Sequence, residues 1–430
     1  MPLLEELKPK KNSAASYFPA STNSNTNIFD WNNVVSFFIT TLHNLKFSKD
    51  IKSLENFKKE CETHFTNKLG GEPFWHVIEK MYFDNEQVLN ITPEMQALKV
   101  LKPPKNSSGD ERLSLLFCRL MGDVEVTNAP KAQLNFLEKE IKQVFDSHTE
   151  RAKKSHIYHA AYLPFLSKQF QQDLTFLVSY PEHFLQNIKA FLKLYGFLYT
   201  AQLSLNIKGW AQKPEVKPCY FILDNEKASK ERTKLQLHGH KQVIESSYSL
   251  FPYLALNESL QDTKKQIIPL WQLFEELTDT DIDTLNNYAT DFHNQRGLTS
   301  PQTQASSVSE AIDNLTKLFT DQFKKGSNLE SPFQKYNSVT RDILIKPFEQ
   351  NRRRAGSFLV LNQDYLLLLT NLCIGENEKL RLHELLIEFQ KRGVFFDKSS
   401  EECLIDLFER MGNVERMSDS GDAVYVKKTI

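Results

Sequence analysis

The residues best equipped for chemistry fall in two polar runs. Asp224-Asn225-Glu226-Lys227 follows an apolar stretch, Cys219 to Leu223, that reads as a short strand. Two carboxylates and a lysine after a strand are the groups a metal-dependent nuclease uses to hold a cation and orient water. The spacing departs from the usual nuclease strand pattern, and a polar turn after a strand explains the same run. Arg352-Arg353-Arg354, with Lys346 upstream, is the densest basic run. Arginine forks suit bidentate phosphate contact, so these four residues are the candidate DNA contacts, joined by Lys427 and Lys428 near the end of the chain. The competing reading is a solvated helix end or linker.

The histidines are less specific. His156 and His159 lie one helical turn apart, and His238-Gly239-His240 alternates as on a strand. Either spacing suits a metal, but no neighbouring cysteine or carboxylate pair completes a ligand set, so no metal centre is expected. Arg151 with His156, and Arg232 with His238, carry the loose arginine-to-histidine spacing of HEPN-type ribonucleases. There an arginine would stabilise phosphate charge and a histidine would move a proton. That spacing arises readily by chance. The chain has no GxxxxGK[ST], GxSxG, HExxH or GxGxxG run. Nucleotide binding through a P-loop is therefore not expected, no cofactor is implied, and no residue is assigned a catalytic role.

The whole chain sets the frame for these groups. Its 430 residues suffice for two or three domains. Lysine and arginine (53) balance aspartate and glutamate (54), so no global field draws the chain to nucleic acid, and any such contact needs a local patch. The 31 phenylalanines predict an aromatic-rich core, and only 14 glycines argue against glycine-rich phosphate loops and a turn-dense all-β fold. Cys61, Cys118, Cys219, Cys373 and Cys403 are scattered without CxxC spacing and read as small core residues. Met1 to Lys11 mixes charges without an apolar stretch, and no run is long enough to span a bilayer. The expectation is a soluble, cytoplasmic protein with no membrane partner.

The fold class expected is mainly α: a multi-helix core with a small irregular or β insertion and a C-terminal winged-helix-like module. Residues 1–27 read as a flexible segment carrying an aromatic anchor, Tyr17-Phe18-Pro19. Residues 28–295 read as a helical core. Val34, Phe37, Phe38 and Leu42 give one helical face, Trp75, Val77, Ile78 and Met81 another. Pro130 suits a helix first turn before the stripe Leu134, Leu137, Ile141, Val144 and Phe145. Within this core, residues 208–253 form an irregular insertion, with a hairpin suggested by weak alternation over Lys234 to Leu237. Residues 296–308 read as a linker, 309–361 as a connecting helical segment and 362–430 as the terminal module.

In that module Tyr365 to Cys373 reads as a first helix, ended by Gly375. Leu382, Leu385, Leu386 and Phe389 mark a second, ended by Gly393. A third opens on a capping box, Ser399 with Glu402. Val414 to Met417 and Ala423 to Lys428 read as a hairpin around Ser418-Asp419-Ser420-Gly421-Asp422. Three helices and a hairpin suggest a winged helix, which commonly reads DNA with its third helix. Here that helix carries Glu401, Glu402, Asp406 and Glu409 against Arg410. Phosphates would repel it, so protein docking is the better reading of this face.

Two stretches of this tail carry a family resemblance. Phe389-Gln390-Lys391-Arg392-Gly393-Val394-Phe395-Phe396-Asp397-Lys398 is one. Ser418-Asp419-Ser420-Gly421-Asp422-Ala423-Val424-Tyr425-Val426 is the other. Together they resemble the end of the DptG (DndG) family of DNA phosphorothioation-dependent restriction proteins, and Tyr17-Phe18-Pro19 with Phe29-Asp30-Trp31 is compatible with that family's start. The resemblance implies a component of a bacterial antiviral defence that spares sulfur-modified DNA. It implies NTPase partners, DptF-like and translocase-like DptH-like, and a role as adaptor or scaffold with possible contact to double-stranded DNA. Two alternatives stay open: a cryptic metal-dependent nuclease built on residues 208–240, and an unrelated helical scaffold.

Overall fold

The computed structural model describes residues 3–9, 12–23, 26–69, 72–101, 108–124, 126, 133–152, 160–227, 231–417 and 423–430. Helices account for 62% of it and the strands gather in small sheets of two to four strands, so the fold is mainly α. It divides into two compact units. The smaller comprises Ile28–His156 and Gln171–Leu192; the larger comprises Met1–Asn27, Ile157–Phe170 and Lys193–Ile430.

The smaller unit contains α1 (Trp31–Leu42), β1 (Leu45–Phe47), α2 (Leu54–Leu69), α3 (Glu72–Ile78), α4 (Ser108–Met121), α5 (Phe136–Ser147) and β2 (Thr149–Arg151). β1 and β2 pair antiparallel. In α1 three of the four predicted stripe residues, Val34, Phe38 and Leu42, are buried, and Phe37 is half-buried. Phe57, Phe65, Trp75, Ile141 and Phe145 form a second aromatic-rich core, with Leu134 and Leu137 packed at its margin. α5 starts at a capping box between Asn135 and Glu138, so Pro130, outside the described residues, is not its first turn. The second predicted face splits. Trp75 and Ile78 turn inward, whereas Val77, two residues after Trp75 and so on the other side of the helix, and Met81, inside the π-helical turn Glu79–Phe83, are half exposed.

α6 (Pro164–Val178) and α7 (Pro181–Asn206) each contain one of the unit boundaries. The larger unit then adds β3 (Cys219–Leu223), α8 (Thr233–His238), α9 (His240–Ser247), α10 (Leu250–Ser259), α11 (Leu270–Glu276), α12 (Ile282–Arg296), α13 (Val308–Asp321) and α14 (Glu330–Val339). After these come β4 (Glu349–Asn351), β5 (Ser357–Leu361), α15 (Gln363–Ile374), β6 (Lys379–Arg381), α16 (Leu382–Lys391), β7 (Val394–Phe395), α17 (Lys398–Arg410), β8 (Val414–Met417) and β9 (Ala423–Lys427).

Three expectations about the larger unit change. The described residues among 1–27 do not form a loose tail. Tyr17 and Phe18 are buried, Tyr199 donates to the Tyr17 carbonyl at 2.9 Å, and the Ser16 amide donates to Glu258 at 2.5 Å. Residues 296–308 are not a domain linker but the ordered connection of α12 to α13. The Asn286 carboxamide holds both the amide and the carbonyl of Ala305 at 3.0 Å, and Gly297, at φ 60°, ends α12. Residues 208–253 are not an irregular hairpin either. β3 is the expected strand, but Lys234 to Leu237 lies in α8, and β3 sits inside a four-stranded sheet of order β4-β5-β3-β7.

That sheet is parallel where β3 meets β5 and β7, and antiparallel between β4 and β5. β3 reads Cys-Tyr-Phe-Ile-Leu and is almost wholly buried, as a strand flanked on both sides must be. Its neighbours come from positions more than 130 residues further along the chain. Among the described residues no helix is long and apolar enough to cross a membrane.

Candidate docking site in the terminal module

Local sequence sets the module's elements. Asn362 caps α15 by accepting from the Tyr365 amide at 2.9 Å, and Gly375, at φ 56°, ends it. β6, unanticipated in the sequence, follows and pairs antiparallel with β9, which pairs with β8. Helix, strand, two helices and a hairpin, with the first strand beside the last, is winged-helix order. Gly393 closes α16 at φ 85°, where a Cβ would lie 2.2 Å from the Gln202 amide nitrogen. Gln202 in turn holds both backbone groups of Lys217, so a larger residue has no room to displace it.

The cap of α17 differs from the predicted one. Asp397, not Ser399, is the N-cap, accepting from the Ser400 amide at 3.0 Å. The Asp397 carboxylate also binds the Arg232 guanidinium through two parallel hydrogen bonds, with Nε to Oδ2 at 2.8 Å and Nη2 to Oδ1. Arg232 Nη1 donates to Glu226, and Nη2 donates to Ser400 Oγ at 2.7 Å. Ser400 Oγ lies 2.9–3.0 Å from both Glu226 oxygens, and the Leu223 amide donates to Glu226 at 2.9 Å. The first turn of α17 is thereby bolted to the end of β3, and Ser400 is fully buried. Burial alone would raise the Asp397 carboxyl, but Arg232 and the Ser400 amide outweigh it and hold it below the usual carboxylate range.

This lock bears on what α17 can touch. A DNA-reading helix presents its N-terminal residues to base edges. Here Arg232 holds the N-cap Asp397 and the buried Ser400, whereas Lys398 and Ser399 between them are exposed. Further along α17, Glu402, Asp406 and Glu409 are exposed at helical spacing on one face, with Glu401 half-buried beside them and Arg410 exposed at the end. The cations of the hairpin are engaged within the module. Lys427 and Lys379 pair with Glu415 at 2.6 and 3.0 Å, Arg416 pairs with Glu409, and Lys428 donates to the Gly375 carbonyl at 3.2 Å. Tyr425 accepts from Arg381 at 3.0 Å, with Lys379 over its ring. Ser418, Asp419, Ser420, Gly421 and Asp422 lie outside the described residues, and Ala423 opens β9.

The arginine run forms the turn between β4 and β5. Arg353 adopts φ 54° and Gly356 φ 100° to close it. Arg352 donates to the Asp224 carbonyl, whereas Arg353 and Arg354 are exposed and carry no side-chain ion pair among the described residues. Lys346, also exposed, precedes β4 at the far end of that strand and does not join the turn.

The other predicted groups do not assemble into a centre. His156 and His159 lie outside the described residues. His238 and His240 are not alternating strand residues but belong to successive short helices. His240 Nε2 lies 3.3 Å from Glu349, and burial lowers its pKa although Glu349 opposes this. Arg232, once paired on paper with His238, faces Asp397 and Glu226 instead. Among the described residues no group of three or more His, Cys, Asp or Glu is arranged to hold a metal. The Arg232–Asp397 relation was not readable from sequence, although Asp397 three residues before Ser400 is a legible N-cap spacing. No family model and no curated protein matches this chain.

Proposed function

We propose that this chain is a non-catalytic adaptor whose terminal module docks a protein partner through the acidic outer face of α17. On the resemblance of its tail, the setting is a phosphorothioation-dependent DNA restriction system, with DptF-like and DptH-like NTPase subunits as the partners. The observation that supports the reading is the pairing of the lock on α17, where Arg232 and Glu226 hold Asp397 and the buried Ser400, with the exposed acidic face Glu402, Asp406 and Glu409. A negative helix face favours a basic protein surface and disfavours a phosphate backbone. The test is co-purification of the full chain with the two NTPases, comparing the native sequence with Glu402→Lys/Asp406→Lys/Glu409→Lys. Loss of capture with unchanged folding supports the reading; undiminished capture, or new dependence of DNA binding on these acids, contradicts it.

A second contact, to duplex DNA, is favoured by Arg353 and Arg354, which are exposed in a tight turn and have no anionic partner among the described residues. The nuclease alternative is less well supported, because both Glu226 oxygens are occupied by Arg232, Ser400 and the Leu223 amide.

A further inference from the structure

A second recognition site lies in the smaller unit. A cleft of about 330 Å³ opens between the start of α1, the turns that follow α3 and the first half of α7. Its walls are rich in carboxamides: Asn32, Asn85, Asn90, Gln96 and Gln186. Val35 and Ile188, both buried, give it an apolar floor. The charged groups of the lining are Glu86, Lys99 and Lys189. Glu86 grips Lys99 with both oxygens, at 2.6 and 2.5 Å, so those two charges cancel. Lys189 is left as a net positive charge, its Nζ 2.9 Å from Asn32 Oδ1. An ammonium has three donors, so two remain for a ligand, and the Asn32 amide nitrogen adds donors beside them.

The cleft is held in shape. Asp30 caps α1 by accepting from the Asn32 amide at 2.8 Å. Buried Asp110 receives the Asp30 amide at 2.8 Å and the Asn33 carboxamide at 2.9 Å, which fixes the turn that presents Asn32. Glu86 sits at φ 54°, a left-handed conformation unusual for a residue with a side chain, and its pair with Lys99 accompanies that strain at the cleft wall.

Each carboxamide offers one acceptor and two donors, the complement of a peptide unit. A single uncompensated ammonium matches a single carboxylate, and the floor matches one aliphatic side chain. The lining carries no aromatic ring on which a nucleobase could stack. We infer that this cleft binds the C-terminal end of a partner polypeptide, with the terminal carboxylate on Lys189 and Asn32, the backbone on the carboxamides and an aliphatic side chain on Val35 and Ile188. The inference does not rest on the terminal module, so either can fail without the other.

The test uses the full-length chain, fluorescently labelled, on an array of random hexapeptides displayed in three forms: free C-terminus, C-terminal amide, and C-terminal amide with an internal aspartate. Selective binding to free-terminus peptides with aliphatic residues near the end is expected. Lys189→Ala should weaken it roughly tenfold, the effect of losing one charge-assisted hydrogen bond, and Gln186→Ala should weaken it less. Both residues are exposed, so melting temperature should not move. Equal binding to free and amidated peptides, preference for internal aspartate, no binding to any form, or indifference to Lys189→Ala would each overturn the assignment. So would capture of a dT oligonucleotide that the same variants abolish.

Discussion

Arg232 and Asp397 stand 165 positions apart in the chain and meet as a bidentate ion pair at the N-terminus of α17. The pair joins the turn after β3 to the third helix of the terminal module, and with Glu226 and Ser400 it makes that helix part of the sheet's support.

The first prediction concerns that lock. Arg232→Ala leaves Glu226 and Asp397 facing each other without their cation, and both side chains are largely buried. Removing one partner of such a pair costs about 3–5 kcal/mol. Urea unfolding of the full chain should show a loss of that size for Arg232→Ala, and a smaller one for Arg232→Lys, which keeps charge but not the fork.

The second concerns pH. Burial lowers the His43 pKa from 6.5 to about 4; Glu94 opposes, while Arg151 and Lys142 reinforce. A folded-state pKa below the unfolded one means the unfolded chain takes up the proton first. Its contribution to stability is complete above about pH 6.5 and is lost as pH falls toward 4. Asp397, also depressed, adds a loss at lower pH, as acid protonates a carboxylate that the fold needs charged. Denaturation midpoints across this range should fall less steeply between pH 6.5 and 4 in His43→Gln than in the native sequence; equal slopes would refute the assignment.

The third concerns Gly393. At φ 85°, with Gln202 where a Cβ would lie, Gly393→Ala combines backbone strain with a clash against a side chain that is itself held. A loss of about 1–3 kcal/mol is expected. Gly412→Ala shares the positive φ but meets nothing within 4 Å, so it should cost less. Thermal melts of the two variants compare them directly.

The fourth separates the basic residues. Lys427 is paired with Glu415 and Lys428 with a backbone carbonyl, whereas Arg353 and Arg354 are exposed in the β4–β5 turn with no ion pair among the described residues. Binding of duplex DNA, followed against salt, should lose about two units of slope in Arg353→Gln/Arg354→Gln and little in Lys427→Gln/Lys428→Gln.

What could be read from the sequence was local. The Val34, Phe38 and Leu42 stripe, the Cys219 to Leu223 strand and the terminal hairpin strands follow from apolar periodicity within a few residues, and each stands where expected. What was not readable depended on distant partners. Nothing in Cys219 to Leu223 says that its neighbours are Ser357–Leu361 and Val394–Phe395. Val77 and Met81 share apolar character with Trp75 and Ile78, but Val77 lies on the other side of α3 and Met81 in the π-helical turn that follows it. Polar, proline-containing stretches at 12–27 and 296–308 looked like linkers by composition. Their described residues are held by side chains elsewhere, Glu258 and Asn286 among them, that composition does not reveal. The acidic face of α17 could be read from charge alone, whereas the lock at its N-terminus required Arg232 to be brought to Asp397.

The most direct test of the docking reading places a photocrosslinker on α17. With p-benzoylphenylalanine at Asp406, in the full chain mixed with the DptF-like and DptH-like subunits and duplex DNA, irradiation should crosslink the chain to one of the NTPase subunits. The adduct should disappear when Glu402 and Glu409 are changed to lysine. Crosslinking to DNA at that position, or to neither protein subunit, would contradict the account.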